Sequence, residues 1–457
     1  MPLLLGIDLG TSYFKVGLFE RDGTLKGLGR VRVEKDSPQV GWLELPVDRF
    51  WALLRQALGD ALQEAAAKPT DIVGVSYSSQ ASTFVLLDGS GAPLTPLVFW
   101  NDRRVERVPE AWTTFSRTEA FHRAVGFGGI SVESAVAKWH WFREHEPALW
   151  SRARWCLTIA DYLTYTLTGE MAGDVSTAAL LGLYHLPDRR WWSDALAAFE
   201  IDARRLVTPL PPGSACGRTG GGATRRLSLP PGIPFAVGAL DHHGAAMGAG
   251  LERFADASIS TGTVLAAVSV ADRIEPLAGC FHGPHFDGAR YFRLAFHPDG
   301  TGKLDRFQRR FAPDRSIEAL IAEAAVLAPG ARPDAEPWTA AWSVDRARAI
   351  RALIEEVAWT HRALLHAVSD DRVLARISAT GGGARSAAWL AIMADIIGRP
   401  IMTPACPERA CLGAAVFAAV AAGWYANVAE AARGMVRAER EFVPDAARHS
   451  AYHGARR

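Results

Sequence analysis

Residues 6–15 read GIDLGTSYFK and lie at the centre of the first structural unit that the sequence defines. Residues 3–8 are apolar up to Asp8, residues 10–12 are the turn-forming Gly-Thr-Ser, and residues 14–19 are apolar again. Two apolar segments joined by so short a polar turn are typical of a β-hairpin. The stretch therefore predicts a hairpin with an acid at the end of its first strand.

Outward from this hairpin, strand and helix patterns alternate. A third β segment is expected at residues 30–34, and residues 47–67 carry apolar side chains at helical spacing. Residues 72–76 have strand character and run into the polar Ser-Ser-Gln at residues 78–80. This alternation predicts an α/β domain with a mixed sheet.

The hairpin pattern recurs in the second half of the chain. Residues 8–11, DLGT, align with residues 260–263, STGT, at an offset of 252. Proline- and glycine-rich breaks at residues 211–222 and 230–232 precede the repeat, and the second break is followed by an apolar run at 233–240 that predicts a strand. We therefore expect a duplicated fold, with an N-terminal domain at residues 1–237 and a C-terminal domain at 238–457.

Composition narrows the class of protein. The 457 residues carry 50 Lys+Arg against 49 Asp+Glu and are 49% apolar, which excludes a disordered chain and a protein that binds nucleic acid through bulk charge. A single core stops growing at roughly 250–300 residues, so two large domains are expected. The five cysteines form no CxxC pair, and the N-terminus has no basic segment typical of a signal peptide, so a cytoplasmic location is predicted.

Residues 410–428 form a charge-free run of 19 residues, long enough to span a membrane. Alanine dominates the run and contributes little to insertion, so a tightly packed buried helix is the favoured interpretation and no membrane partner is expected. Residues 437–457, rich in charge, predict a surface helix or a frayed end.

Glycine- and threonine-rich turns can bind phosphate, because glycine lets the backbone approach and the N–H groups converge on the ligand. Either turn alone is better explained as an ordinary tight turn, but the pair, with an acid at the head of the first, favours phosphate binding. Asp8, at the head of the first turn, is either a ligand of magnesium beside phosphates or a carboxylate that accepts N–H bonds from its own turn. Both roles are compatible. Lys15 is one of only six lysines, which makes it the cation to test beside this turn.

Asp241 is the second acid at a strand end and precedes a run of small residues, 244–250, that predicts a closely packed helix. It is either the N-cap of that helix or a catalytic base. A helix N-terminus lowers a carboxylate pKa, but phosphoryl transfer depends more on positioning than on strong proton abstraction. Residues 381–386, GGGARS, lie between a strand and a helix and either contact a flat ligand or form a tight connection.

Several modest motifs occur in a fixed order over nearly the whole chain. They are GIDLGTS with Lys15, WNDRR at 100–104, KWHWF at 138–142 with Glu144-His145, DYL at 161–163, LTGE at 167–170, Asp174, Ser176, Asp241, STGT at 260–263 and GGGARS at 381–386. Together they resemble the FGGY carbohydrate kinases, members of the actin-like ATPase superfamily.

The resemblance implies two actin-like, ribonuclease H-like domains with mixed sheets flanked by helices, and an active site in the interdomain cleft for ATP, Mg²⁺ and a sugar or polyol. It implies that Asp241 takes the proton from the attacking hydroxyl and that Asp8 and Asp241 order the magnesium. The implied nucleotide-binding residues are Gly10, Thr11, Ser12, Lys15, Thr261, Gly262, Thr263, Gly382, Gly383 and Ser386. The implied sugar-pocket residues are Gln80, Ser82, Trp100, Asp102, Asp241 and His242.

The chain departs from the family pattern at three places. Ala81-Ser82 follows Gln80 where relatives commonly have Met-His or Arg-Glu, and His242 replaces the usual Gln or Asn. A stretch of roughly twenty residues that many relatives carry between Phe311 and the helix expected at residues 344–367 is missing, more than surface loops commonly absorb. These departures leave the substrate open.

The expected function is ATP-dependent phosphorylation of a small sugar or polyol, with a ketopentose such as xylulose or ribulose as the first choice. The alternatives are a kinase for glycerol, another polyol or a sugar acid, and an actin-like ATPase without sugar kinase activity. The sequence leaves the oligomeric state open, with a homodimer as the candidate.

Overall fold

The computed structural model describes residues 1–262, 264–334, 336–369 and 372–454. The helices are α1 (Val47–Glu64), α2 (Glu110–Ser116), α3 (Glu119–Val125), α4 (Ala135–His145), α5 (Pro147–Arg152), α6 (Ile159–Thr168), α7 (Val175–Ala179), α8 (Ser193–Ala198), α9 (Gly221–Leu227), α10 (Asp241–Gly248), α11 (Gly302–Phe311), α12 (Ile317–Ala325), α13 (Arg346–Ser369), α14 (Ala387–Ile397), α15 (Arg409–Ala421), α16 (Val428–Met435) and α17 (Ala446–Gly454). The strands are β1 (Leu3–Leu9), β2 (Tyr13–Phe19), β3 (Leu25–Arg32), β4 (Glu44–Leu45), β5 (Ile72–Ser79), β6 (Phe84–Leu87), β7 (Leu97–Val98), β8 (Trp155–Thr158), β9 (Ala172–Asp174), β10 (Tyr184–His185), β11 (Arg190–Trp191), β12 (Thr208–Leu210), β13 (Ala215–Arg218), β14 (Pro234–Ala236), β15 (Ala239–Leu240), β16 (Ala257–Thr261), β17 (Leu265–Ala271), β18 (Cys280–Pro284), β19 (Tyr291–His297), β20 (Ile377–Thr380), β21 (Ile401–Pro404) and β22 (Ala438–Phe442).

The chain forms two compact units, and each is assembled from three separate segments. The first unit consists of Met1–Gly248, Ala271–Phe292 and Glu408–Val436. The second consists of Ala249–Val270, Arg293–Pro407 and Arg437–Arg457. These compact units divide the chain differently from the predicted domains, since the first change of unit lies between Gly248 and Ala249. The domain boundary between residues 237 and 238 stays a prediction.

The main sheet of the first unit has the strand order β13-β14-β5-β1-β2-β3, with β15 beside β5. β1 and β2 form the expected antiparallel hairpin, and β1 pairs in parallel with β5. All seven residues of β1 are buried, since α15 packs against β1 and β5 while α1 packs against β2 and β3. The sheet is therefore mixed and covered by helices, as the alternating pattern predicted.

A smaller sheet of the first unit has the order β4-β7-β6-β8. It shares a second apolar core with α4, in which Phe84 of β6 packs edge-on against Trp139 and Phe142 of α4. This core holds α4 against the small sheet.

The second unit repeats the hairpin arrangement. β16 and β17 are antiparallel, with Thr261 opposite Leu265, and β16 pairs in parallel with β20. The sheet continues through β21 to β22, and α13 and α14 contribute a separate core. The hairpin followed by a parallel strand thus occurs in both units, which confirms the duplicated mixed-sheet fold.

The prediction that residues 437–457 form a surface helix or a frayed end was wrong in part. Residues 438–442 form β22, which pairs antiparallel with β21, and α17 carries Tyr452 with only 4% of its surface exposed. The composition of the tail is polar because β22 is an edge strand with exposed side chains. Sequence alone did not show that one aromatic side chain anchors the helix.

Two element boundaries also differ from the sequence pattern. The third strand starts at Leu25 and ends at Arg32, earlier than expected. The apolar run at 233–240 is divided into β14 and β15, since the chain at Gly238 passes so close to β5 that a Cβ atom would lie 1.7 Å from the Tyr77 carbonyl oxygen.

The charge-free run at 410–428 contains α15, which is buried along most of its length and ends at Ala421. In the part of the chain that the structure describes, no helix is long and apolar enough to cross a membrane.

Candidate active site

The first hairpin places an acid and a base directly opposite each other. In the β1–β2 register Asp8 is paired with Lys15, and Leu9 with Phe14, so residues 10–12 form the connecting turn. A side chain at Gly10 would put its Cβ 2.8 Å from the Tyr13 carbonyl oxygen. Glycine is therefore required for the tightness of this turn.

Lys15 forms ion pairs with two carboxylates. Its Nζ lies 3.4 Å from Asp8 Oδ2 and 3.0 Å from Glu408 Oε2. Glu408 immediately precedes α15, the helix that packs on β1. Sequence reasoning missed Glu408, although a carboxylate just before the charge-free run at 410–428 was a signal that could have identified it.

Burial and neighbouring charges shift the pKa values of both Asp8 and Lys15. Burial raises the pKa of Asp8 to about 6; Lys15 opposes the rise, while Asp241 and Glu408 add to it. Burial would lower the pKa of Lys15, but the Asp8 and Glu408 carboxylates outweigh it and the pKa is raised. Lys15 therefore stays charged, and Asp8 and Asp241 are close enough to repel each other.

Asp241 is the first residue of α10, and its Oδ1 accepts a 2.8 Å hydrogen bond from the backbone N–H of His242. The preceding residue is held from behind: the Leu240 N–H donates to Ser176 Oγ at 2.8 Å, and Ser176 donates to the buried Asp174 carboxylate. Asp241 is thus not the N-cap of α10, since it lies within the helix and accepts only from the adjacent N–H, and its Oδ2 makes no hydrogen bond among the described residues. A catalytic role for Asp241 stays a prediction.

Two of the expected sugar-pocket residues, Trp100 and Gln80, contact the first turn. The Trp100 indole donates to Thr11 Oγ1 at 2.9 Å, and Thr11 Oγ1 donates to Gln80 Oε1 at 3.3 Å. Ser82, on the same loop as Gln80, has a left-handed φ of 58°, a conformation that costs a non-glycine residue energy and is enriched at functional sites. His242 is half-buried beside Asp241.

Asp102 has a different environment. Its side chain is fully buried, and its two oxygens accept hydrogen bonds from the Arg104 guanidinium and from the Leu43 N–H. Arg104 also donates to Glu44 Oε1 at 2.6 Å. Asp102 thus joins the WNDRR loop to β4, and a role in sugar binding stays a prediction.

In the second unit, Thr261 lies at the end of β16 and its Oγ1 donates to the Thr380 carbonyl oxygen at 2.8 Å. Gly381 has a φ of +88°, and a Cβ there would lie 2.6 Å from the Thr261 backbone. Gly382 has open space where a side chain would be, and a Cβ at Gly262 would make ordinary contact with the Val264 carbonyl oxygen at 3.6 Å. Ser386 caps α14 by accepting the Trp389 N–H. Thr263 lies outside the described residues.

The carboxylates of Asp8 and Asp241 fit a magnesium ion. Mg²⁺ prefers oxygen ligands, and in phosphate sites one or two carboxylates suffice because phosphate and water complete its shell. The mutual repulsion of the two acids is the kind of charge that a cation relieves. The described residues contain no cluster of three or more acidic, His or Cys side chains arranged for a metal, so the fit is to a metal held mainly by its ligand.

Two family models match the chain. The model of the N-terminal domain of the FGGY family of carbohydrate kinases matches residues 3–248, and that of the C-terminal domain matches residues 320–422.

Known proteins resemble the chain over almost its full length. L-xylulose/3-keto-L-gulonate kinase of Escherichia coli strain K12 is 26% identical over 471 aligned positions, covering 98% of this chain and 94% of that protein. Autoinducer-2 kinase of the same strain is 27% identical, covering 99% and 92%. The crystal structure of a xylulose kinase from Lactobacillus acidophilus superposes with a TM-score of 0.86 at 19% identity, covering 99% and 96%, which shows a shared fold.

Proposed function

This chain belongs to the FGGY family of carbohydrate kinases, and from that premise we propose that it transfers the γ-phosphoryl group of ATP to a hydroxyl of a ketopentose such as xylulose or ribulose. The observation that carries the proposal is a pair of acids: Asp8 ends β1 beside a glycine-threonine turn, and Asp241 is close enough for its charge to raise the pKa of Asp8. An actin-like ATPase without sugar chemistry is set aside, because both domain models are those of carbohydrate kinases.

Asp241 acts as the general base in the proposed reaction. Its Oδ1 is fixed by the His242 N–H, which leaves Oδ2 to accept the proton of the attacking hydroxyl. The oxygen then bonds to the γ-phosphorus as the bond to the β–γ bridging oxygen breaks, and ADP leaves. Because the transition state is loose, aligning the hydroxyl contributes more than the basicity of the carboxylate.

The first turn binds phosphate oxygens through the backbone N–H groups of residues 10–12 and through Lys15. Two carboxylates hold the Lys15 ammonium, so its charge is fixed in place before the nucleotide binds. Bound magnesium, held by Asp8 and Asp241, would supply neutralisation of the phosphate charge. In the second unit we assign Thr261, Gly262, Gly382 and Gly383 to the nucleotide, as the family resemblance implies. Gly382 leaves room for a ligand, because a Cβ there would meet nothing within 4 Å.

The acceptor class rests on the relatives and on the small pocket residues. The relatives named above act, by their names, on L-xylulose, 3-keto-L-gulonate, autoinducer-2 and xylulose. Ala81 and Ser82 have no long polar side chain that would select one acceptor over another. A sugar acid or a polyol is therefore kept as the second candidate class. A homodimer stays a prediction.

An ADP-release assay over a panel of ketopentoses, 3-keto sugar acids, polyols and glycerol tests the proposal. We expect at least one ketopentose to stimulate ADP formation well above the rate with ATP alone. Stimulation by sugar acids or polyols only would move the acceptor to the second class, and no stimulation by any member would contradict kinase activity on these classes.

The Asp241→Asn variant tests the role of the base. We expect kcat to fall roughly 10²–10⁴-fold, the usual contribution of general base catalysis. The Kd for ADP measured without Mg²⁺ should change less than threefold, because Asp241 reaches the nucleotide only through the metal ion. Asp60→Asn, at an exposed position of α1, is the matched control and should keep the normal rate. A kcat for Asp241→Asn within threefold of that control would remove Asp241 from this role.

A further inference from the structure

Lys138 is a fully buried lysine beside the candidate acceptor pocket. It lies in the second turn of α4, and its Nζ donates to the carbonyl oxygens of Trp100 and Glu133, both at 2.6 Å. A buried ammonium is costly unless its donors are satisfied. The two contacts join the WNDRR loop to the segment that leads into α4.

Trp100 is fixed at three points. Its N–H donates to Thr83 Oγ1 at 3.0 Å, its indole Nε1–H donates to Thr11 Oγ1 at 2.9 Å, and its carbonyl oxygen accepts from Lys138. The residue is only partly buried. Of these three contacts, only the one from Lys138 comes from α4, the helix that packs on the small sheet.

The same network reaches the first phosphate turn. Gln80 Oε1 accepts from Thr83 Oγ1 at 2.9 Å and from Thr11 Oγ1, and Gln80 Nε2 donates to the Gly10 carbonyl oxygen at 3.2 Å. The Thr11 hydroxyl therefore donates to Gln80 and accepts from Trp100. A displacement of Trp100 would break the hydrogen bond between the WNDRR loop and Thr11 of the turn.

The charges around Lys138 explain why a lysine can be buried here. Burial lowers the pKa of Lys138 to about 7; the Asp102 and Glu133 carboxylates oppose that fall, and Arg104 adds to it. Asp102 is itself bound by the Arg104 guanidinium, which donates to both of its oxygens. A neutral amine has two N–H groups and an ammonium has three, so either form can donate to both carbonyls.

We propose that Lys138 is a positioning residue of the acceptor pocket: it holds the main chain of Trp100, and thereby the indole that bridges to Thr11, in the position that binds the sugar. The consequence for catalysis rests on the proposed function above. Without the side-chain amine, the carbonyls of Trp100 and Glu133 lose their donor, and the loop relaxes to find others. The acceptor is then bound in a less defined position, while the nucleotide keeps its own contacts.

Lys138→Met tests the proposal, with Lys138→Arg as the conservative variant and Lys68→Met as the control for the same change at an exposed position. For the ketopentose that the panel identifies, we expect Lys138→Met to raise the acceptor KM at least tenfold and to lower kcat less than fivefold. The Kd for MgADP by calorimetry should change less than threefold. Lys138→Arg, which can still donate to two carbonyls, should recover part of the KM, and Lys68→Met should leave all three constants unchanged.

An acceptor KM within twofold of the unsubstituted protein, or equal losses in acceptor KM and MgADP affinity, would overturn the proposal. If Lys138→Met does not fold, Lys138→Arg decides the question: a rise in acceptor KM of at least threefold with the Kd for MgADP unchanged supports the proposal, and any other result contradicts it.

Hydrogen exchange separates this proposal from the kinase assignment, because it needs no substrate. In Lys138→Met the backbone amides of residues 99–104 should exchange at least tenfold faster, with exchange in β1 and β5 unchanged. If the panel yields no substrate, the function fails but this measurement still tests the anchoring, and unchanged exchange at 99–104 contradicts it.

Discussion

His361 lies in the interior of α13 with no exposed surface and, among the described residues, no hydrogen-bond partner for either ring nitrogen. Burial lowers its pKa to about 3 from the ordinary 6.5. Between these values the unfolded chain binds a proton that the folded protein does not. The free energy of unfolding therefore falls as pH falls below 6.5, by up to about 1.4 kcal/mol for each pH unit.

We predict that His361→Leu removes this loss. The gain in unfolding free energy over the unsubstituted protein should be larger at pH 5.5 than at pH 7.5, as measured by urea unfolding at both values. His366→Leu, at an exposed position of the same helix, is the control and should show no such difference. An equal gain at both pH values would mean that the ring is not held neutral.

At the residue scale, sequence identified the groups whose neighbours are local. Asp8 and Lys15 lie in one hairpin, and the turn between them follows from three small residues. The Glu408 contact to Lys15 and the Lys138 contact to Trp100 could not be predicted, because each joins elements far apart in the chain and depends on how helices pack. The roles of the site residues stay predictions until the variants are measured.

At the scale of elements, the contact of α10 with α15 positions Asp241. A Cβ at Gly413 of α15 would lie 2.2 Å from the Gly244 carbonyl oxygen of α10, and one at Gly6 of β1 would lie 2.1 Å from the Cys411 carbonyl oxygen. The two glycines thus allow α15 to touch both the helix that starts at Asp241 and the strand that ends near Asp8. α15 fixes both acids from one side.

We predict that Gly413→Ala pushes α10 away from α15. Overpacking of this kind costs about 1–3 kcal/mol, and kcat should fall with stability because Asp241 moves with its helix. Urea unfolding and the ADP-release assay measure the two effects.

Gly59→Ala in α1 is the matched control, since a Cβ there meets nothing within 4 Å. Replacing this helical glycine should stabilise the protein by roughly 0.4–1 kcal/mol. If Gly413→Ala proves as stable and active as Gly59→Ala, the close contact of the two helices does not constrain Asp241.

The elements themselves were predictable where the pattern was long and periodic. The hairpins, α1 and the buried character of α15 follow from apolar spacing. β22 was missed because an edge strand with exposed, charged side chains has no apolar alternation, and only its pairing with β21 defines it. The division of the run at 233–240 depends on a close approach to Tyr77 that no local pattern encodes.

At the scale of the whole molecule, each compact unit is completed by a segment from the end of the chain. Glu408–Val436 returns to the first unit and brings α15 to β1, whereas Arg437–Arg457 belongs to the second. Tyr452 shows how firmly the last segment is held: its hydroxyl accepts from Arg351 Nη2 at 2.6 Å and donates to Glu355 Oε1 at 2.7 Å. Both partners are buried in α13.

We predict that Tyr452→Ala destabilises the second unit and leaves the first intact. Losing a buried aromatic side chain costs about 3–5 kcal/mol, and here the buried Arg351–Glu355 pair also loses its hydroxyl partner. Hydrogen exchange should therefore accelerate in β16, β20 and α13 but not in β1 or β5. Tyr425→Ala is the reciprocal variant, because the Tyr425 hydroxyl donates to the Arg21 carbonyl oxygen within the first unit, and it should accelerate exchange at residues 19–24 only. Equal acceleration in both units by either variant would show that the two units unfold together.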